Sequence, residues 1–159
     1  TDTELQRRID TYQRALQNPR NVKRGEQLFT KHCLACHQLQ EAGHAVGPRL
    51  GSTINRPDET ILLDLLDPSG RIEAEYRSYT AITEDGRSFT GVLASESPTS
   101  ITLRKEKNAT ETLLRRNLEF LRASAVSLMP ANLHEQLGPQ DVADLIAFLR
   151  KAYGRGKPQ

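Results

Sequence analysis

The stretch KHCLACHQL places Cys33, Cys36 and His37 within five residues, and these are the only two cysteines in the chain. Two thiols three positions apart on a turn of helix can each form a thioether with one of the two vinyl groups on neighbouring pyrroles of a haem. The next residue, His37, is then held beneath the iron by covalent geometry. Rival uses of the pattern fit less well. A thioredoxin-like pair needs a strand before it and a βαβ setting, whereas an amphipathic helix precedes Cys33. Zinc needs about four ligands, and with no second cysteine pair His44 and His134 would have to be recruited. Two buried, idle cysteines is the plainest alternative. One covalently attached haem, through Cys33 and Cys36, is the expected cofactor.

His37 fixes one axial bond and leaves the opposite face of the iron undecided. A closed sixth position suits electron transfer, and an open one suits chemistry on a bound ligand. The candidates are Met129, His32, His44 and His134. Met129 is the only methionine in the chain. Methionine normally fills core gaps, but this one sits in a loop before Pro130, where packing does not dictate its direction. His32 directly precedes Cys33 and is expected to face away from the iron. His44 is expected to be an exposed loop histidine, and His134 is the serious rival. Met129 is the preferred ligand.

A chain of 159 residues supports one compact domain with a real core. Its 36% hydrophobic and 5% aromatic content, with no Trp, is lean for that length, and a bound macrocycle would supply missing apolar volume. The formal charge is +2, and its sign varies along the chain. Arg150, Lys151, Arg155 and Lys157 cluster near the end, whereas Asp58, Glu59, Asp64, Asp67, Glu73 and Glu75 dominate residues 58–75. No basic run is long or aromatic-interleaved enough for nucleic acid. No stretch approaches the roughly 20 apolar residues that span a bilayer. A chain beginning at Thr1 is expected to be a processed or trimmed form of something longer.

These residues need elements to position them. Leu5, Ile9, Tyr12 and Leu16 predict a helix over 2–17, ended by Asn18-Pro19. A second helix from about Asn21 carries Val22, Gly25, Leu28 and Phe29 into the Cys33–His37 turn. Gly43, Gly47, Pro48, Gly51 and Pro57 mark 38–57 as irregular. Asp58 and Glu59 then lead Ile61, Leu62, Leu65 and Leu66 in a short helix stopped by Asp67-Pro68-Ser69-Gly70. Alternation from Tyr76, broken by EDG and SPTS turns, predicts a small antiparallel sheet of four or five strands over 74–122. Helical spacing returns after Gly138-Pro139 with Val142, Leu145, Ile146, Phe148 and Leu149, and YGRGKPQ reads as a frayed tail.

With these residues in place, the chain resembles the class I, mono-haem cytochrome c family. The match runs through Gly25-x-x-x-Phe29, Cys33-x-x-Cys36-His37, Gly47-Pro48-x-Leu50, Met129-Pro130 and a final helix with Leu145, Phe148 and Leu149. The resemblance implies that the first and last family helices cross at Gly25 and Phe29. It also implies that the Pro48 carbonyl accepts from the Nδ1 proton of His37, orienting the ring and strengthening it as a donor to iron, and that Met129 completes a low-spin site. His37 and Met129 lie much further apart than a compact family member requires, and the excess coincides with the alternating segment. VGPRL, LLDLLDPSGRIEAEY, TEDGRSFTGVL, SLMPANL and DVADLIAFLR narrow the resemblance to the haem-binding domain of planctomycete and verrucomicrobial proteins. That domain often sits at the C-terminal end of large dehydrogenase-like proteins.

The expected fold is therefore α+β: a single cytochrome c domain over 1–159, with a helical extension at 1–20 and an inserted antiparallel β segment at 74–122. Arg49 and Arg56 lie in the loop expected to pass the haem edge, and Tyr76 or Tyr79 could reach a propionate, with core packing preferred for both. The expected function is electron transfer, not catalysis, serving a periplasmic or cell-surface dehydrogenase, a quinol-linked donor or a terminal acceptor. A peroxidase-like enzyme with a labile sixth ligand, or a haem sensor, is the alternative. No distal His-Arg pair supports the enzyme.

Overall fold

Leu5, Ile9 and Tyr12 fall on one face of the first helix, with Leu16 in the turn that follows it, in the computed structural model, which describes residues 2–154. The helices are α1 (Asp2–Ala15), α2 (Val22–His32), α3 (Asp58–Leu66) and α4 (Pro139–Gly154). Tyr12 and Leu16 are buried, and the Tyr12 hydroxyl donates to the Leu137 carbonyl at 2.6 Å. α1 stops two residues earlier than its spacing predicts. The amides of Leu16, Gln17 and Asn18 turn to carbonyls three residues back, the tighter pattern that often closes a helix.

Asn21 caps α2, its side chain accepting from the Arg24 amide at 3.0 Å. Gly25 and Phe29 are the buried residues of this helix, and both face α4. A Cβ at position 25 would lie 2.0 Å from the Asp144 carbonyl oxygen, so a side chain as small as methyl would force the helices apart. The Phe29 and Phe148 rings meet with centroids 5.6 Å apart in a tilted pair. The expected crossing of these helices at Gly25 and Phe29 is what the structure contains. α3 buries Ile61, Leu62, Leu65 and Leu66, and α4 buries Val142, Leu145, Ile146 and Leu149. Together with Leu133 and Leu137 they form one helical core.

Asp58 ties three segments of that core. Its carboxylate accepts from Arg20, between α1 and α2, at 2.8 Å and from Arg150 of α4 at 2.6 Å. Asp144, 1% exposed, accepts from the Asn21 amide, Arg24 and Gln140 at 2.8–2.9 Å. A buried carboxylate is tolerated because each of these donors offsets part of its lost hydration.

The segment read as wholly irregular contains a short hairpin, β1 (Gln38–Leu39) against β2 (Ala42–Gly43), and a 3₁₀ helix at Leu50–Asn55. Strands of two residues carry no periodicity to read. The larger sheet has five antiparallel strands: β3 (Ser78–Thr83), β4 (Ser88–Glu96), β5 (Ser100–Arg104), β6 (Thr110–Leu114) and β7 (Leu118–Ala123). Their spatial order is β6-β5-β4-β3-β7, so the last strand returns to the free edge of the first. Residues 74–76, predicted as the start of the sheet, form a 3₁₀ turn instead, with the Tyr76 and Arg77 amides bonded to carbonyls three residues back. Ala81, Ile101, Leu103 and Leu113 make a second, smaller core, with Tyr79 packed against it. α4 continues through Tyr153 and Gly154 where a frayed tail was expected, and the rest of that tail lies outside the described residues.

Candidate functional site

α2 hands the chain directly to the cysteine turn. The Cys33 amide donates to the Phe29 carbonyl at 2.8 Å, and the amides of Cys36 and His37 donate to the Cys33 carbonyl at 3.1 and 2.9 Å. Both cysteines are free thiols and half-buried. Burial, reinforced by Cys36, pushes the Cys33 thiol up to about 12, and burial followed by the Glu106 carboxylate pushes Cys36 up. Both are protonated at neutral pH, the form that adds across a vinyl double bond.

The neighbouring loop fixes the histidine. His37 Nδ1 lies 2.8 Å from the Pro48 carbonyl oxygen. A carbonyl can only accept, so Nδ1 carries the proton and Nε2 keeps its lone pair for a metal. Burial lowers the pKa of the ring against the opposing pull of that carbonyl, which keeps it in the neutral, ligating form at pH 7. Gly47 lies against the ring: a Cβ there would sit 2.6 Å from Cε1 and 3.1 Å from each nitrogen. The loop is itself bonded to the turn, since the Val46 and Gly47 amides both donate to the Cys36 carbonyl, at 3.0 and 2.7 Å.

Met129 is held by a different set of contacts. Its amide donates to the Ser127 hydroxyl at 3.1 Å, and the Ser127 amide donates to the Ser69 hydroxyl at 3.0 Å. The buried Ser78 at the start of β3 donates to the Val126 carbonyl at 2.9 Å. The methionine loop is thus pinned between the stop of α3 and the first strand of the sheet. Its side chain is half-buried and packs against the helical core, as do Cys33, Leu34, Leu39 and Leu50.

The other predicted residues divide. Arg49 is exposed, and its charge acts on the half-buried Tyr76 hydroxyl, whose pKa is raised by burial and by Glu75 and Glu73 against the lowering effect of Arg49. Arg56 is turned toward α3, its Nη2 2.5 Å from Asp64 but off the direction of a hydrogen bond. Tyr79 packs in the sheet core. His44 lines a 330 Å³ cavity with Thr30, Lys31, Leu34, Ala35, Gly43 and Lys107, beside the cysteine turn. His32 is half-buried in the last turn of α2. His134 has a buried Nδ1 without a hydrogen-bond partner among the described residues.

Several supports were not read from the sequence. The serines around Met129 had a local signal, because a hydroxyl two residues before an amide commonly bonds it. The Asp144 cluster and two contacts from the sheet had none, being long-range: the Lys107 amide donates to the Ala35 carbonyl at 2.6 Å, and Arg104 donates to the Ala45 carbonyl at 3.2 Å.

Two neutral thiols, a histidine with a committed tautomer and a free Nε2, and a glycine that leaves the ring uncovered fit a covalently bound haem. The family model for cytochrome c matches residues 22–152, and the chain belongs to the cytochrome c family. Compared with curated proteins, it matches none. The family binds covalent c-type haem, and its members are generally electron carriers that work with redox partners, typically outside the cytoplasm. Helices plus antiparallel sheets make the fold an α+β mix. Among the described residues, no helix is long and apolar enough to cross a membrane.

Proposed function

We propose that the chain carries single electrons on one haem ligated by His37 and Met129, as a domain of the planctomycete and verrucomicrobial type, with residues 74–122 as its inserted β segment and 1–20 as an extension of the same single domain. The observation that carries this reading is the His37–Pro48 bond at 2.8 Å, which leaves Nε2 as the ligating atom. Met129 is supported as its partner by packing on the same helical core as Cys33 and by three hydrogen bonds that hold its loop. The haem supplies a reversible ferric–ferrous couple, and a thioether ligand favours the ferrous form.

In this reading the protein holds both axial side chains before and after the electron moves, so little reorganises. Arg49 and Tyr76 are our proposed partners for the haem carboxylates. Arg56 is the less available third, because Asp64 already neutralises it. The donor or acceptor is a redox protein, a periplasmic or cell-surface dehydrogenase or a respiratory component. α1 and the turn after it bury Tyr12 and Leu16 in the family core, which supports one domain over the whole chain.

A visible spectrum tests the ligation. Ferric wild type is expected to have the weak far-red sulfur-to-iron band, Met129→Ala to lack it, and carbon monoxide to bind the variant readily and the wild type slowly. The buried, unpartnered Nδ1 of His134 motivates His134→Ala alongside. Loss of the native spectrum in His134→Ala with retention in Met129→Ala would replace the methionine by that histidine.

A further inference from the structure

The sheet reaches the cysteine turn at one point, the five-residue loop 105–109 between β5 and β6. Lys105 and Ala109 close that hairpin, with the Lys105 amide donating to the Ala109 carbonyl at 2.7 Å. At its tip Lys107 (φ 55) and Asn108 (φ 56) are both left-handed. Two consecutive non-glycine residues in that region are costly, and the conformation persists where surrounding contacts hold it. Here the contact is the Lys107 amide on the Ala35 carbonyl at 2.6 Å.

Ala35 is the second of the two residues between the cysteines, and the carbonyls of the turn divide their partners in a consistent way. The Cys33 carbonyl is taken inside the turn by Cys36 and His37, and the Cys36 carbonyl by Val46 and Gly47 of the loop that holds His37. The Ala35 carbonyl is taken by the sheet. Three residues before Lys107, Arg104 of β5 holds the Ala45 carbonyl at 3.2 Å, at the root of the same His37 loop. The sheet therefore grips both the turn that carries the thiols and the loop that orients the histidine.

We propose that the β5–β6 tip is a positioning element for the haem: the Lys107 backbone amide fixes the attachment turn, and the tip excludes water from the thioether edge. The proposal rests on haem attachment at Cys33 and Cys36. It assigns a task to the sheet that stability of the sheet alone would not require. Lower solvent access at a haem raises its potential, and the orientation of an axial ligand tunes its electronics.

The test compares three holoproteins. One replaces residues 106–108 by a two-residue Asn-Gly turn, which closes a hairpin well but cannot reach Ala35. A second, Lys107→Gly, keeps the amide and adopts φ 55 freely. A third, Asn108→Val, keeps the loop length but disfavours φ 56, and it stands in if the shortened chain does not fold. The midpoint potential and the hyperfine-shifted haem methyl proton resonances are read for each. The expected result is a downward shift in potential and a changed methyl pattern in the shortened or Asn108→Val protein, with Lys107→Gly matching wild type. Unchanged potential and methyl pattern in a shortened protein with native far-ultraviolet dichroism would overturn the proposal. If denatured wild type loses its haem colour on acid-acetone extraction, covalent attachment itself fails, and the proposal goes with it.

Discussion

Gly25→Ala sets two opposing terms against each other. In an isolated helix alanine is better than glycine by ~1 kcal/mol, so local propensity alone predicts a stabler protein. The structure predicts the reverse. The new Cβ would sit 2.0 Å from the Asp144 oxygen, 2.6 Å from the Asp144 carbonyl carbon and 2.9 Å from the Phe148 Cβ. Ordinary contact begins at 3.4 Å, so the worst of these is about 1.4 Å too close. Two of the three atoms are backbone and the third is fixed to it, so no rotamer change relieves the overlap. α2 and α4 must separate, which opens the Phe29–Phe148 contact as well. Overpacking typically costs ~1–3 kcal/mol, and rigid neighbours place this site at the upper end. The net loss is then about 2 kcal/mol, or a fall in Tm of roughly 4–8 °C for a chain of this size. Thermal unfolding of the holoprotein, followed by dichroism at 222 nm, measures it. A Tm equal to or above wild type would refute the close helix crossing and the reasoning built on it.

The ring contact at Gly47 makes a sharper spectroscopic prediction. Gly47→Ala is expected to push the His37 ring off the Pro48 carbonyl, weakening it as a donor to ferric iron and raising the midpoint potential, while haem attachment is retained. An unchanged potential would count against the orienting role of Pro48. A third prediction concerns acid stability. Burial raises the pKa of Asp144, but the Asn21 amide, Gln140 and Arg24 outweigh it and hold the carboxyl below its usual 3.8. A depressed native pKa adds stability that is present above the unfolded value and is lost as pH falls through the native one. Asp144→Asn should therefore be less stable at pH 7, by roughly 1–3 kcal/mol, and should lose less on acidification below about pH 4. Denaturant titrations at pH 7 and pH 3 measure both, and parallel losses in the two proteins would refute the assignment.

Short-range chemistry was legible in the sequence. Cys33, Cys36 and His37 point to a haem turn because their spacing matches the geometry that such an attachment requires. Leu5, Ile9, Tyr12 and Leu16 give α1, and the sequence around Asp58 gives α3, because an apolar face at helical period has one economical use. The alternation after Tyr76 gives the sheet, and Gly25 with Phe29 foretells the α2–α4 crossing through the family pattern. Where local pattern was weak, the reading blurred: residues 74–76 as strand, the end of α1, and the two-residue strands inside 38–57.

What only the tertiary structure decided is how distant segments hold the site. Nothing about Ala35 in the sequence announces that its carbonyl is taken by Lys107, and nothing about Ser69 or Ser78 announces a role in holding the methionine loop. Arg49 and Arg56 look equivalent in the sequence, yet Arg49 is exposed and Arg56 is paired with Asp64. The physical reason is common to all of these. Periodicity and motif spacing report which atoms are close along the chain, whereas a backbone carbonyl or a guanidinium finds its partner among atoms brought close only by the fold.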